Sequence, residues 1–580
     1  MADYFTTGMR LYLDHLVDWK ELLEIRSGGA VDVDAEVGAY RTILETASAM
    51  AASFEPEARK NWAAEAELTA DGGAQSPPHI RQAYDQLCEA GLISLTVSEQ
   101  YGGYGLPALL NGIFLEMISR ADTSLMMVVG LQTGAASDIE RYASDEVKDA
   151  YLPRFTSGEV QGSMDLTEPE AGSDLGGIST RVTDLPDGRV QVDGQKIYIS
   201  NGGAEIHLVL ARDDDKFDES RGTTHGLSLV LVPRHLEDGS ANGVKVPRLE
   251  KKMGIHGSAT CEVLFEGSIG HRLGAAGEGF KAMLDLMNAA RLGVASQSLG
   301  ICEAAVHDAI TYAHERKQFG KAIAEQPMVE VMLANMVVDS EAVRALLYRT
   351  YRLLDLNLAR ETALAGGDLP DAQATEMRAD LDRDNARVRL LTPLCKYFAT
   401  ETCDQITRAA MQVFGGIGFT MDAEVAKLHA DSLIMTVYEG TSEIQASFAL
   451  REIGKGALGV VFTEIRSELA AMTDDPMRAE LAKRVEGMAA RVEESMGVMF
   501  SDISYALLRA KLLTEMVIDV IASCELLDQV GVDNSRLDIA ESFIARHAIK
   551  ADYLNQRIAD HGDGILERNA RVVAEAASQH

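Results

Sequence analysis

From about Val33 to Gly158, apolar residues recur three and four apart, in RTILETASAMAASF, HIRQAYDQLCEAGL and LLNGIFLEMISRADTSLMMVVGLQTGAA. That is the period of helices with one buried face. Breaks fall at Asp71-Gly72-Gly73, at Pro77-Pro78 and in the glycine-rich EQYGGYGLP. Near Gln161 the texture changes. RVQVDGQKIYIS sets Asp193-Gly194 between two β-prone runs, which predicts a hairpin. HLVLAR, GLSLVLVP and CEVLFEG predict further short strands, so residues 161–272 read as a small β domain. Helical periodicity returns from Gly279, in FKAMLDLMNAARLGVASQSLGICEAAVHDAITYAHERKQF and PMVEVMLANMVVDSEAVRALLYRTYRLLDLNLARETALA. The acidic, turn-rich GGDLPDAQATEMRADLDRDN reads as a solvated insertion between helices. A last helical stretch, about 456–580, has no proline beyond Pro476. The coarse order is helix, strand, helix, helix.

Length and charge narrow the function classes. At roughly 100–200 residues per domain, 580 residues should hold about three or four domains. A formal net charge of −35 argues against a nucleic-acid backbone or an anionic bilayer as the main partner. It leaves room for a local basic pocket that takes one phosphorylated ligand. The six cysteines form no CxxC and no Cys/His cluster, so they read as reduced, buried thiols in a cytoplasmic compartment. The first residues lack the basic start and apolar run of a signal peptide. No apolar stretch reaches ~18 residues, so no membrane span is expected.

The common cofactor and metal motifs are absent. No GxGxxG follows a predicted strand and no GxxxxGK[ST] occurs. His314-Glu315 begins like a zinc-protease motif, but Gln318 stands where the second ligand belongs, so no metal site is expected. Three glycine-containing segments carry more chemistry. Leu166 to Asp174, LTEPEAGSD, offers hydroxyls and turn N–H groups that could donate to a heterocycle, or is an ordinary Ser/Asp turn. Gln412 to Phe419, QVFGGIGF, allows close backbone approach to a ligand, or is a helix C-cap and loop. Tyr438-Glu439-Gly440-Thr441 follows the apolar run Leu433 to Val437. A carboxylate at the edge of an apolar pocket is a stronger base once water leaves; a helix N-cap turn is the alternative.

LTEPEAGSD, KIYISNGG, KKMGIHGSAT, ERKQFG, QVFGGIGF and VYEGTSEIQ, in this order, resemble the signature set of the acyl-CoA dehydrogenases over about residues 80–455. The resemblance implies an α+β fold: an N-terminal helical domain (1–160), a middle β-barrel (161–272), a C-terminal four-helix bundle (273–455) and an extra helical domain (456–580). It implies FAD as cofactor. Leu166, Thr167, Gly172 and Ser173 match residues around the flavin ring and phosphates, and Tyr198 and Ser200 match those that flank the ring. Arg316, Gln318 and Phe319 match the segment that reaches a neighbouring subunit's FAD. Gln412, Gly415 and Gly416 match the loop on its adenosine half, and Thr441 and Glu443 match positions near the pyrophosphate. Ser173, Asn288, Arg291, Tyr438 and Gly440 match substrate contacts, and Glu439 matches the catalytic base. The implied reaction removes a Cα proton and a Cβ hydride from an acyl-CoA thioester, with an electron-transfer flavoprotein as acceptor and a homodimer, or a tetramer, as the assembly.

The chain also departs from the family pattern. Ala430 and Leu433 stand where arginines are frequent, and His256 replaces the common Arg of the GIRGS-type turn. The length beyond Gly456 resembles the very-long-chain and 3-methylthiopropanoyl-CoA branches. The expected substrate is a fatty acyl-CoA of β-oxidation, with a short or substituted acyl-CoA such as 3-methylthiopropanoyl-CoA as the alternative. A DNA-binding flavoprotein of the same fold conflicts with the acidic C-terminal region. An oxygen-dependent oxidase or desulfinase conflicts with a base retained at Glu439. Asp285 is the one other carboxylate near Arg291 on its helix. Purified protein should be yellow, with stoichiometric non-covalent FAD by absorbance; a colourless preparation that takes up no FAD on reconstitution would overturn the resemblance.

Overall fold

The computed structural model describes residues 3–367, 369–473, 475–560 and 564–578. The chain forms two compact units. One comprises Met1–Arg10, Asp34–Leu333 and Cys403–Glu439, the other Leu11–Val33, Ala334–Thr402 and Gly440–His580.

In the first unit, the main helices before the barrel are α1 (Val33–Asn61), α2 (Pro78–Glu89), α3 (Ala108–Ala121), α4 (Thr123–Tyr142) and α5 (Asp145–Thr156). Their starts are written locally. Pro78 opens α2, where a missing N–H costs nothing. The Asp122 carboxylate caps α4 by accepting from the Ser124 and Leu125 amides at 2.8 and 3.3 Å. Eleven of the fourteen residues of α3 are buried, as befits a helix that is apolar on nearly every face. The long α6 (Gly279–Glu315) packs along α3, where the Ser119 hydroxyl donates to the Gln297 carbonyl at 2.7 Å.

Seven strands make the middle domain: β1 (Gly162–Asp165), β2 (Arg181–Asp184), β3 (Val190–Ser200), β4 (Ile206–Asp213), β5 (Leu227–Pro233), β6 (Val244–Leu249) and β7 (Thr260–Leu273). The pairings β4–β2–β3–β7–β5–β4 close a barrel, with β1 parallel beside β4 and β6 antiparallel beside β7. Val182, Val192, Val209, Val230 and Val263 fill its interior. Leu208, Leu210, Leu229 and Leu231 face the opposite way, into a core shared with α4 and α5. Every residue of β4 and β5 is therefore buried, which explains why HLVLAR and GLSLVLVP are continuously apolar rather than alternating.

Two sequence expectations change. Asp193-Gly194 is not a hairpin but a bulge within the single strand β3, which pairs with β7 across a register shift. The hairpin lies earlier, where the Leu185 amide donates to the Arg189 carbonyl and Gly188 takes φ +85°. Gly194 is glycine because a Cβ there would meet the Thr180 hydroxyl oxygen at 2.4 Å. The acidic segment after Gly366 is largely solvated, as expected, but it is helical rather than an insertion between helices. From Asp371 it is the first part of the 44-residue α8 (Asp371–Phe414), which follows α7 (Pro327–Gly366). Only towards its end does charge turn inward, where Asp384 is buried between Arg360 and Arg387, at 2.6 and 2.9 Å.

After α9 (Glu424–Met435) in the first unit, the second unit continues with α10 (Ser442–Gly454), α11 (Ala457–Ala471), α12 (Pro476–Met499), α13 (Ile503–Val532), α14 (Leu537–Ala559) and α15 (Ile565–Ser578). Glu525, fully buried on α13, accepts from Arg349 at 3.1 Å, from Arg352 at 2.7 and 2.8 Å and from the Tyr12 hydroxyl at 3.0 Å. Arg349 also spans to Glu468 on α11 at 2.8 Å. The expected fold class stands: helical N- and C-terminal domains around a middle β-barrel, with extra C-terminal helices.

Arg212 shows how the barrel holds its loops. Its fully buried guanidinium donates six hydrogen bonds, to the carbonyls of Ile178, Ser220, His225, Gly176 and Thr223 and to the Ser220 hydroxyl, at 2.8–3.1 Å. Each buried acceptor left unpaired costs about 1–3 kcal/mol. Arg212→Met should therefore lose on the order of 3 kcal/mol or more, read as a lower calorimetric unfolding midpoint.

Candidate active site

The 166–174 turn is built from below by a buried ion pair. Lys196, fully buried on β3, donates from Nζ to Glu168 at 2.8 Å and to the Leu166 and Leu210 carbonyls at 2.9 and 2.7 Å. Glu168 also accepts from the Ser179 amide and hydroxyl, both at 2.7 Å, and from the Thr180 amide at 3.0 Å. Burial alone would raise the Glu168 carboxyl, but Lys196 and these donors pull it down to about 2. Burial lowers the Lys196 ammonium in turn. The Ile197 amide then donates to the Thr167 carbonyl at 2.9 Å. A second register shift between Lys196 and Ile199 turns Tyr198 outward, at φ +60° and 62% exposed. Leu166, Thr167 and Ser200 lie half-buried, and Gly172 and Ser173 are exposed.

The second group centres on the end of α9. Glu439 takes φ +56°, a left-handed conformation rare for a residue with a side chain, and is half-buried. Buried Arg291, on α6, reaches the Glu439 carbonyl from Nε at 3.4 Å and Asn288 Oδ1 from Nη1 at 2.8 Å. The side chain of Asp285 lies outside the described residues. The Tyr438 hydroxyl donates to Gln297 Oε1, and Gln297 Nε2 donates to the Thr123 carbonyl at 3.2 Å. Burial and then the Glu439 charge push the Tyr438 phenol far above its ordinary value, so it stays a neutral donor. Met127, Leu131 and Ile255 form an apolar cluster, with Met164, Ile434 and Tyr438 packed against it. Met164 lies on β1 just before Leu166, so this cluster joins the turn to the carboxylate segment.

The remaining residues stand on separate exposed features. Arg316, Gln318 and Phe319 are exposed around the short hairpin Lys317–Gln318/Lys321–Ala322, and Phe319 is 94% exposed at φ +53°. Gln412, Gly415 and Gly416 lie at the exposed end of α8, anchored by Phe414 stacking on Tyr312 at 4.1 Å between ring centroids. In the second unit, the Gly440 carbonyl accepts from Lys396 at 2.9 Å and Gln445 at 3.0 Å. Thr441 caps α10, and Glu443 pairs with Lys511 at 3.1 Å.

Sequence reasoning missed Glu168 with Lys196, Gln297 and the pair Lys427–Asp431. Each had a faint signal: charge inside a β run, a polar residue in the apolar LGVASQSLG, and opposite charges four apart on a helix. Ser163, Asp165 and His207 also meet, fully buried. Both oxygens converge on His207 Nδ1, at 2.9 and 3.0 Å, so they form no nucleophile–base–orienter chain.

Comparison with known proteins agrees with the domain order of the fold. Residues 43–159, 163–268 and 277–367 with 369–454 match the family models of the N-terminal, middle and C-terminal domains of acyl-CoA dehydrogenase. The chain is 30% identical over 454 residues to 3-methylmercaptopropionyl-CoA dehydrogenase of Ruegeria pomeroyi, covering 75% of this chain and 73% of that protein. It is 30% identical over 396 residues to subunit CarC of the caffeyl-CoA reductase–Etf complex of Acetobacterium woodii, covering 66% and 93%. An acyl-CoA dehydrogenase structure from Bacillus anthracis, complexed with FAD, shares the fold at a TM-score of 0.73 and 22% identity, over 91% of this chain and 89% of that one.

Glu168→Gln should leave the Lys196 ammonium buried without its counter-charge, costing about 3–5 kcal/mol at neutral pH. Because the folded carboxyl, at about 2, lies below its ordinary 4.5, its contribution is complete above pH 4.5 and fades as the pH falls towards 2. Unfolding midpoints of wild type and variant should thus lie far apart at neutral pH and converge in acid.

Proposed function

The chain belongs to the acyl-CoA dehydrogenase family, and we propose that it oxidises an acyl-CoA thioester to the trans-2-enoyl-CoA with Glu439 as base. The observation that carries this reading is the left-handed Glu439 beside buried Arg291, at the edge of the apolar cluster. Backbone strain of this kind persists where packing over-determines it, and it concentrates at functional sites.

FAD fits the residues present. Tyr198 offers an exposed ring beside the Thr167 turn, and Gly172 and Ser173 leave that turn open. A Cβ added at Gly415 or Gly416 would meet nothing within 4 Å, so the backbone there is free to approach a ligand. Leu166, Thr167, Gly172, Ser173, Tyr198 and Ser200 would hold the ring side. Arg316, Gln318, Phe319, Gln412, Gly415 and Gly416 would hold the nucleotide side. Bound FAD supplies the acceptor for the hydride that leaves Cβ.

The protein's own part is to place and deprotonate the thioester. The Glu439 carboxylate takes the Cα proton, the C–H electrons become the new C=C bond, and the hydride departs from Cβ. The apolar cluster of Met127, Leu131 and Ile255, against which the adjacent Tyr438 packs, would limit water at the carboxylate once substrate is bound, which strengthens it as a base. Arg291 holds the Glu439 carbonyl, and so the segment on which the carboxylate is mounted. Asn288 and Ser173 complete the proposed substrate contacts in the first unit.

A short or substituted acyl group suits the site better than a long fatty chain. The relative from Ruegeria is named for such a substrate, and Tyr438 bonded to Gln297 places a polar stop within the apolar cluster. The relative from Acetobacterium is named as part of an Etf complex, which supports an electron-transfer flavoprotein as acceptor. Phe319, Met328, Phe419 and Met421 are 65–94% exposed and supply apolar surface for a second copy, in support of a homodimer. No described helix is long and apolar enough to cross a membrane, and all six cysteines are free thiols, which suits a cytoplasmic setting.

Glu439→Gln keeps shape and hydrogen bonding but removes the proton acceptor. It should retain FAD and bind acyl-CoA while substrate bleaches the flavin at least ~10²–10⁴-fold more slowly, measured by anaerobic stopped flow. A yellow variant that bleaches at the wild-type rate would assign the base elsewhere.

A further inference from the structure

Ile255 is the most strained residue beside the proposed site. Its backbone sits at φ +43°, where a β-branched side chain is a genuine outlier, and it is buried in the apolar cluster against which Tyr438 packs. Two features hold it there. The Ile255 amide donates to Asp431 Oδ1 on α9 at 2.6 Å, a buried, charge-assisted bond. Its neighbour Gly254 lies against the α9 backbone, where a Cβ would meet the Ala430 carbonyl oxygen at 2.5 Å.

Asp431 is itself held in place. Lys427, one turn earlier on α9, donates to Asp431 Oδ2 at 2.6 Å, and both side chains are buried. Burial disfavours the Lys427 ammonium, yet Asp431, Asp122 and Glu424 raise it above its ordinary value. Asp122, which caps α4, has His79 at 3.6 Å. The buried charges thus run from Asp122 through Lys427 to Asp431 and end on one backbone amide. Nothing in that chain reaches a reacting atom. Its effect is to fix where the Ile255 side chain stands.

We propose that Asp431 is a positioning residue for substrate selection: by holding Ile255 in its left-handed conformation, it sets the apolar wall that decides which acyl groups can present their α-carbon to Glu439. The proposal rests on the dehydrogenase reading above. An acyl chain whose Cα lies at Glu439 must run its remaining carbons over neighbouring apolar residues, and Tyr438, the residue before Glu439, packs with Ile434 against the cluster of Met127, Leu131 and Ile255. Tyr438 is pinned by Gln297 on one side. Ile255 is pinned by Asp431 on the other. A methylene gained or lost in an apolar pocket changes selectivity by about 10–200-fold, so a displaced isoleucine should be legible in the substrate profile.

The test measures kcat and KM, with anaerobic flavin bleaching, for propanoyl-, 3-methylthiopropanoyl-, butanoyl-, hexanoyl-, octanoyl- and dodecanoyl-CoA. Wild type, Asp431→Asn, Ile255→Gly and the double variant are compared, each with its FAD content and unfolding midpoint. Ile255→Gly should keep FAD and shift the ratio of long to short substrates by about tenfold or more, because the wall is gone. Asp431→Asn should raise KM for the best wild-type substrate more than it lowers kcat, and flatten the profile. Glycine takes a left-handed φ unaided, so in the Ile255→Gly background the further effect of Asp431→Asn on the profile should fall to within about twofold. An Ile255→Gly profile that matches wild type overturns the proposal. So does an Asp431→Asn loss that is equal for every substrate, or one undiminished in the glycine background. Should Asp431→Asn alone not fold, the Ile255→Gly profile and the double variant decide. A wild-type flavin bleached by no acyl-CoA would strike the dehydrogenase reading itself, whereas bleaching with unchanged profiles strikes only the role given to Asp431 and Ile255.

Discussion

Glu168 and Lys196 are a carboxylate and an ammonium sealed from water in the barrel wall, and much of the first unit's chemistry depends on how they are satisfied. Desolvating both is expensive, and the expense is recovered only when each spare lone pair and proton finds a partner. The backbone around them supplies those partners. The Leu166 and Leu210 carbonyls take Lys196 protons, and the Ser179 and Thr180 amides give to Glu168. The consequence is geometric. The loop is stitched at its start to β3 and at its end to Glu168, and the open turn carrying Thr167, Gly172 and Ser173 is presented from that base.

The segment at Glu439 uses the same logic with a different material. There the backbone itself is strained, and packing rather than pairing holds it. Arg291 grips the carbonyl, and the Tyr438 ring is wedged into an apolar cluster with its hydroxyl tied down. A carboxylate mounted this way spends little entropy on finding its working position, which is the general advantage of preorganisation.

The fold was largely legible in the sequence because its elements are long and strongly periodic. The continuous apolar runs HLVLAR and GLSLVLVP needed only the fact that both faces of β4 and β5 are covered. Where reading failed, a residue answered to a partner far along the chain. Asp193-Gly194 carries a turn signature, yet glycine is there because Thr180 leaves no room for a Cβ. The acidic stretch after Gly366 is largely solvated, yet Asp384 near its end is buried between two arginines. The candidate site divides in the same way. Glu439 and the LTEPEAGSD turn could be picked out from local pattern and resemblance. Lys427, Asp431 and Gln297 could not be ranked, because what singles them out is the buried amide or phenol that each one meets.

The second unit is sewn from three separated stretches of chain, and that has a consequence for how the protein is made. Tyr12 donates to Glu525 across a separation of 513 residues. At about 5–20 residues per second, a ribosome needs roughly half a minute to two minutes to cover that interval. During this time Tyr12, buried in the finished protein, has no α13 to pair with, and its buried neighbours Leu13, Trp19, Leu22 and Leu23 belong to a unit whose last helices do not yet exist. The N-terminal segment is thus the first of its unit to emerge and among the last to be completed. A nascent chain of this design depends on whatever shields its leading apolar stretch until the closing helices arrive.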